Sequence, residues 1–376
     1  MKIVYLIEGL NNSGGTERVI SAKANYLAAS NDVYIICIKG KEHFFSLSEK
    51  INLIGLDFPP LNSFNLVKKS FKSYFMKKQL KKKLNEILRK IKADIVISTY
   101  SYEMSVLPSI KDCSRKILEI HFGKGFKLTG AKFSRKNSIV RFLFAFKEWY
   151  EWKFKIPKYD KFVVLSEQDK AEWKKIGINA TSIYNPLPFT SGQTADLNSK
   201  IAISIGRLET QKNYSCLIEI WAEIHEKFPD WKLNIFGEGS QKDMLKEQIK
   251  KFNLQGIVNI FPSEKNIISR YLESSLYLTT SCYEGFPMTL IEACECGLPI
   301  ISFDIKCGPK EIVQNGESGF LVEFGNKEDF AEKAMSLMEN QNLRDEFGKN
   351  AKQRAKNFCI ESIMPQWEKL FGEVLK

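Results

Sequence analysis

The chain has 376 residues, which at about 150 residues per domain predicts two domains rather than one small core. Hydrophobic residues make up 44% and charged residues 27%, an ordinary globular usage that excludes a disordered, collagen-like or disulfide-scaffold protein. The net charge of +12 is unevenly spread: residues 1–185 hold 34 basic and 17 acidic side chains, net +17, and residues 186–376 hold 22 and 27, net −5. No run approaches the roughly 18 apolar residues of a membrane span, and Glu8 interrupts the opening run too early for a signal peptide, so cytoplasmic residence is expected. The 8 cysteines lack paired short spacings and read as reduced thiols.

In chain order, Ile3 to Ile7 is a continuous apolar run that feeds the glycine-rich stretch Asn11 to Thr16, the pattern of a buried parallel strand and its turn. Helical spacing from Glu17 to Ala29 and a second apolar run from Val33 to Ile38 complete a β-α-β unit. A lysine cluster follows: Lys68, Lys69, Lys72, Lys77, Lys78, Lys81, Lys82 and Lys83, with no acidic residue between Asp57 and Glu86. On a helix, Met76, Leu80, Leu84, Ile87 and Ile91 form one stripe, while Phe71 and Phe75 fall on the other side beside Lys78 and Lys82. Aromatics among lysines suit an anionic membrane surface, with a plain solvated lysine face as the alternative. Nucleic acid is disfavoured as partner, because no zinc-finger or helix-turn-helix pattern accompanies the charge.

Strands are expected at 94–98 and 161–165. Between them, Phe142, Phe144, Phe146, Trp149, Tyr150, Trp152 and Phe154 cover most of a helix circumference, so a helix buried on more than one side is expected, with contact to lipid as the alternative. The pattern stops near Tyr184 to Pro188 and gives way to a polar stretch, which sets a boundary between domains 1–187 and 188–360. A second alternation then begins, with strands at 201–205, 232–236, 258–261, 276–279 and 299–303. The reading is two doubly wound, Rossmann-like α/β domains facing across a cleft.

Two stretches in the second domain carry chemistry. Ser281 to Glu292 follows a strand and opens a helix, with Pro287 suited to the first helical turn, Glu284 in the turn before it and Glu292 within the helix. Backbone N–H groups of Met288 and Thr289 are then available to a phosphate oxygen, and a carboxylate is the natural acceptor for paired sugar or ribose hydroxyls. Gly206-Arg207 and Lys212-Asn213, at the end of the strand 201–205, bring two cations that can converge on a diphosphate. Structural carboxylates, a buried His121 and a simple left-handed turn at Gly14-Gly15 are the plainer readings of these residues. Cys282, Cys294, Cys296 and Cys307 lack C-x2-C pairs, so no metal site is expected.

These motifs resemble glycosyltransferase family 4, retaining nucleotide-sugar transferases of the GT-B fold. The resemblance spans nearly the whole chain: Ser13-Gly14-Gly15-Thr16-Glu17, Glu119-Ile120-His121, Gly206-Arg207, Lys212-Asn213, Gly237-Glu238-Gly239 and the pair Glu284 and Glu292 with its following Cys294 to Pro299. It implies that Arg207 and Lys212 bind the donor diphosphate, Glu292 the ribose and Glu284 the sugar hydroxyls. Gly206 belongs to the same donor site, and Gly285, Phe286, Pro287, Met288 and Thr289 would line sugar and phosphate through their backbone. His121 would approach the donor sugar, the Gly14-Gly15 loop would close over the phosphates, and a final helix at 361–376 would cross back to the first domain. Ser263 stands where the family commonly has glycine. Residues Asp304 to Ile312 resemble a subgroup that builds bacterial surface polysaccharides and lipid-linked oligosaccharides.

The expected activity is transfer of a hexose or N-acetylhexosamine from a UDP-sugar to a lipid-linked glycan hydroxyl, with Glu284, His121, Arg207 and Lys212 as the reacting set. No metal cofactor is expected, since the cations would face the leaving diphosphate and the chain has no Asp-x-Asp. Lys77, Lys78, Lys81 and Lys82 would hold the protein on the inner face of the plasma membrane. A non-catalytic sugar-nucleotide binder and an NAD-dependent enzyme are the alternatives.

Overall fold

The computed structural model describes residues 1–58, 66–133 and 138–376. The side chains of Lys68, Lys69, Phe71 and Lys72 lie outside the described residues. The chain forms two compact units, the first made of 1–124, 143–188 and 360–376, the second of 125–142 and 189–359.

In the first unit the strands are β1 (Lys2–Ile7), β2 (Asp32–Cys37), β3 (Asn52–Gly55), β4 (Ile95–Ser98), β5 (Arg115–Glu119), β6 (Lys161–Val164) and β7 (Thr181–Ser182). They pair in the order β3-β2-β1-β4-β5-β6-β7, all parallel. Ile3, Val4, Tyr5 and Leu6 are all buried, because helices cover both faces of a parallel sheet and both faces of each strand must be apolar. One face packs on the helices Gly15–Leu27 and Ile360–Leu375, whose Ile20, Ala24, Trp367 and Phe371 join Tyr5, Ile97 and Ile117. The other face packs on Leu66–Ile91 through Met76, Leu80, Leu84 and Leu88.

The second unit holds β8 (Ile201–Ile205), β9 (Lys232–Phe236), β10 (Val258–Phe261), β11 (Leu276–Thr279), β12 (Ile300–Asp304) and β13 (Gly319–Glu323), again parallel, in the order β10-β9-β8-β11-β12-β13. This is the doubly wound order: the chain runs outward from β8 in one direction, returns to β11 beside it and continues the other way. Ligands of such sheets bind at the carboxyl ends of the two strands flanking that switch point, here β8 and β11.

Residues 125–142, placed by the sequence in the first domain, belong to the second unit. Within it, the Phe133 ring stacks on Tyr283 at 5.8 Å and meets Phe324 edge-on at 5.9 Å. The sequence expectation also lacked β3, β5, β7 and β13. Pro287 precedes the helix Met288–Glu295 rather than lying in its first turn.

Candidate functional site

The loops leaving β8 and β11 meet at the second unit's switch point. After Ile205 the chain passes Gly206 and Arg207 to Lys212 and Asn213, then enters the helix Tyr214–Lys227. Asn213 takes the left-handed conformation (φ 55°, ψ 39°), which asparagine tolerates better than most residues. After Thr279 the second loop runs through Cys282, Tyr283 and Glu284 to the helix Met288–Glu295. Bonds to backbone carbonyls stitch the loops together: the Cys282 N–H donates to the Gln211 carbonyl at 2.7 Å, and the Thr280 hydroxyl donates to the Asn213 carbonyl at 3.0 Å.

On this frame four polar side chains form one connected set. Lys212 Nζ lies 2.6 Å from Glu284 Oε1, with the two side chains 14% and 11% exposed, so the pair is largely shielded yet open to a ligand. Gln211 Nε2 donates to the Tyr283 carbonyl at 2.9 Å and points to Glu284 Oε2 at 3.4 Å, while its Oε1 accepts from Arg207 at 3.0 Å. Gln211 therefore orients both the guanidinium and the carboxylate, a bridging role that its place in the sequence motif did not reveal. Burial, then Cys216 and Glu284, moves the adjoining Cys282 thiol up to about 12, so it remains protonated.

Two glycine features hold the frame. A Cβ at Gly237 would sit 1.9 Å from the Gly206 carbonyl oxygen, because the loops after β8 and β9 touch backbone to backbone. They are tied by the Gly206 N–H to the Phe236 carbonyl at 3.0 Å and the Leu208 N–H to the Glu238 carbonyl at 2.9 Å. Gly308 (φ +100°) packs on Pro287, whose Cδ a Cβ would approach to 2.3 Å, so the loop after β12 backs the segment 285–287.

Glu292 sits one turn into the helix Met288–Glu295 and is 1% exposed. Its Oε2 accepts the Tyr271 hydroxyl at 3.0 Å, a partner 21 positions away that no local motif signals. Phe286 is buried against Phe358, and Met288 and Thr289 open the helix, where first-turn N–H groups have no intrahelical acceptor.

A model of the family described as "Glycosyl transferases group 1" matches residues 191–354, the segment that builds this loop pair. An "uncharacterized glycosyltransferase" of Haemophilus influenzae is 31% identical over 375 residues, 98% of this chain and 99% of the relative. The chain belongs to the group 1 glycosyl transferases. The amylovoran biosynthesis glycosyltransferase AmsD of Erwinia amylovora is 30% identical over 386 residues, 99% of each chain. A Campylobacter jejuni α-1,4-N-acetyl-D-galactosaminyltransferase, named for a diNAcBac-PP-undecaprenol-linked substrate, is 26% identical over 381 residues, 100% of this chain and 99% of its own. Among solved structures, a mutant of S. aureus TarM in complex with UDP and other ligands aligns with a TM-score of 0.76 at 17% identity, over 98% of this chain and 99% of that one. The two parallel-sheet domains are thus of the GT-B class, and the dehydrogenase reading falls.

The remaining expected residues of this glycosyl transferase lie in its first unit. Gly14 caps the helix Gly15–Leu27 in extended backbone (φ −73°), and neither Gly14 nor Gly15 is left-handed, so the simple left-handed turn is not what the pair provides. His121 follows β5 and is 7% exposed, with burial pulling its imidazole down to about 4. Lys78, Lys81 and Lys82 are exposed on the helix Leu66–Ile91, beside exposed Tyr74 and Phe75. Lys77 is half-buried and faces Lys147, Glu151 and Lys155; burial, then Lys147, lowers its pKa.

The aromatic helix Ser138–Phe154 departs from the expectation of a helix covered on more than one side. Ile139, Phe142, Leu143, Phe146, Trp149, Tyr150 and Phe154 are all exposed, the first two at 70% and 69%, and their spacing places them on one stripe. The opposite side carries buried Glu148 and half-buried Glu151, the latter accepting from the Tyr100 hydroxyl at 2.8 Å. The helix is amphipathic with its apolar face outward. Among the described residues no helix is long and apolar enough to cross a membrane.

Proposed function

We propose that this glycosyl transferase moves a hexose or N-acetylhexosamine from a UDP-sugar to a hydroxyl of a lipid-linked glycan in bacterial surface glycan synthesis, with retention at the anomeric carbon. The observation that carries the reading is the connected set Arg207, Gln211, Lys212 and Glu284 at the switch point of the second sheet. Relatives named for amylovoran biosynthesis and for an undecaprenol-diphosphate-linked sugar, together with UDP in the TarM complex, support the substrate classes.

In the reaction the bond from the anomeric carbon to the diphosphate oxygen breaks and a bond to the acceptor oxygen forms on the same face. The acceptor proton leaves with the departing phosphate. Negative charge grows on that phosphate, where Arg207, Lys212 and the first-turn N–H groups of Met288 and Thr289 would stabilise it more in the transition state than in the ground state. Lys212 has three donors and spends one on Glu284, so it can bind a phosphate oxygen without releasing the carboxylate. Glu284 would then accept from sugar hydroxyls and Glu292 from the ribose. With two side-chain cations on the leaving group, the scheme calls for no divalent metal.

The same proposal puts the protein on an anionic membrane surface. Exposing seven large apolar side chains on one helix is costly in water, and Lys147 and Lys153 on that helix, with Lys78, Lys81 and Lys82 on Leu66–Ile91, supply the charge that such a surface attracts. Each lysine near an anionic surface is worth roughly 1 kcal/mol.

Ligand-observed NMR with UDP-, GDP- and ADP-sugars and NAD, with UDP as competitor, tests the donor. Binding of a UDP-sugar that UDP displaces is expected, and binding of no UDP-sugar would sink the reading. Flotation with vesicles of phosphatidylglycerol and phosphatidylcholine tests the membrane: Lys78, Lys81 and Lys82 together changed to Glu should remove salt-sensitive binding. Phe146→Ser with Trp149→Ser should remove the part that survives salt. Unchanged flotation in both variants would refute membrane docking while leaving the donor assignment standing.

A further inference from the structure

Lys23, in the helix Gly15–Leu27, and Glu119, the last residue of β5, form an ion pair in which both side chains are 0% exposed. Lys23 Nζ lies 2.7 Å from each carboxylate oxygen. The same ammonium stands 3.5 Å from the ring centre of Trp367, on the helix Ile360–Leu375, and 5.7 Å from that of Tyr5. Ile117 belongs to this face of the sheet and Leu118 and Ile120 to the other, so alternation along the strand turns Glu119 toward Lys23. His121, two residues on, follows the same alternation, and its Nε2 lies 3.4 Å from Glu119 Oε1.

A sealed Lys–Glu pair is a poor way to stabilise a fold, since two apolar side chains of similar volume usually serve as well or better. Its position is informative: it ends a central strand at the carboxyl edge of the sheet, where doubly wound folds present their ligand-binding residues. Neither His121 ring nitrogen makes a well-formed hydrogen bond among the described residues. Among the described residues the charges acting on the imidazole are those of Glu119, 3.4 Å from Nε2, and of Lys23.

We infer that Lys23 and Glu119 are positioning residues for His121: the ammonium pins the carboxylate, and the carboxylate selects the imidazole tautomer with its proton on Nε2, leaving Nδ1 as acceptor. The inference rests on the proposed donor site in one respect only, that the oriented His121 meets the sugar nucleotide. The aromatic stack of Trp367 on Lys23 ties this orientation to the helix Ile360–Leu375. Burial keeps the imidazole neutral: it outweighs Glu119, which favours protonation, and Lys23 adds to it.

The chain has three histidines, His43, His121 and His225, so long-range 1H–15N correlation of the imidazoles reads each tautomer and titration directly in the whole protein. In the wild type His121 should show the Nε2–H tautomer and no protonation above about pH 5. Lys23→Met leaves Glu119 without its cation and should raise the His121 midpoint by about one pH unit or more. The double variant Lys23→Met with Glu119→Leu removes both charges, so it keeps the fold accessible if a single variant does not refold. It should show mixed tautomers. A double variant whose His121 keeps the wild-type tautomer overturns the inference and makes the pair purely structural. Titrating the wild type with UDP-glucose, UDP-galactose and their N-acetyl forms separates the two claims: a bound sugar nucleotide should shift His121. If one binds without shifting it, His121 is not at the donor and its positioning for this reaction is refuted, whereas the UDP-sugar assignment stands.

Discussion

The Lys23–Glu119 and Lys212–Glu284 pairs both sit at carboxyl ends of strands in this protein, and solvent access separates them. Lys23–Glu119 in the first unit is completely sealed, whereas Lys212–Glu284 in the second is 14% and 11% exposed. The sealed pair can neither exchange partners nor admit a ligand, so its charge can only orient what touches it. The open pair keeps unused donors facing the switch point, and its charge remains available to a diphosphate. On the proposed reading, identical chemistry serves two functions, with solvent access deciding which.

Breaking each pair from its lysine end should separate them. Lys23→Met strands a buried carboxylate and should cost about 3–5 kcal/mol of stability, read by calorimetry as an early transition of the first unit. Lys212→Met should cost no more than about 1 kcal/mol, because solvent can take over its partner. Equal losses would erase the distinction. The order reverses for ligand: Lys212→Met or Arg207→Ala should weaken UDP binding by roughly 10- to 100-fold, the worth of one charge-assisted bond, and Lys23→Met should leave UDP affinity unchanged in titration calorimetry.

A third carboxyl sharpens the comparison by having no cation among the described residues. Glu103 is 0% exposed, accepts from the Ser98 hydroxyl at 2.8 Å and the Ser101 N–H at 3.0 Å, and burial pushes it from 4.5 up to about 7. The native state therefore holds a proton that the unfolded chain has released, and stability from this group falls as pH rises from 4.5 to about 7. Glu103→Gln should be neutral near pH 4 and gain about 1–2 kcal/mol by pH 8 in urea denaturation. A gain that does not grow with pH would mean that Glu103 ionises normally.

The sheets were legible in the sequence wherever strands are continuous apolar runs, as at Ile3 to Ile7 of β1 and Val33 to Cys37 of β2. β5 was not, because Arg115, Lys116 and Glu119 interrupt it, and their charges are resolved only by tertiary partners: Lys116 by Asp112 and Glu119 by Lys23, 96 positions away. Similarly, Glu284, Arg207 and Lys212 stood out through their motifs, but Gln211 and Tyr271 emerge only when loops far apart in sequence touch. The aromatic helix shows the limit of periodicity. Phe144 and Trp152 turn inward while Phe146 and Trp149 do not, and counting all of them together suggested a helix covered on several sides.

The helix Ile360–Leu375 belongs to the first unit although residues 189–359, which precede it, belong to the second. Ile363, Met364, Trp367, Leu370, Phe371 and Val374 complete the core that begins with Ile3 and Tyr5. During synthesis the sheet of the first unit is made first yet lacks part of one wall until residues 360–375 are made, so the later-made unit can close before the earlier one. A stop codon near position 360 would therefore damage the half of the protein that is already translated, and a nascent chain paused there would present an open apolar face to chaperones.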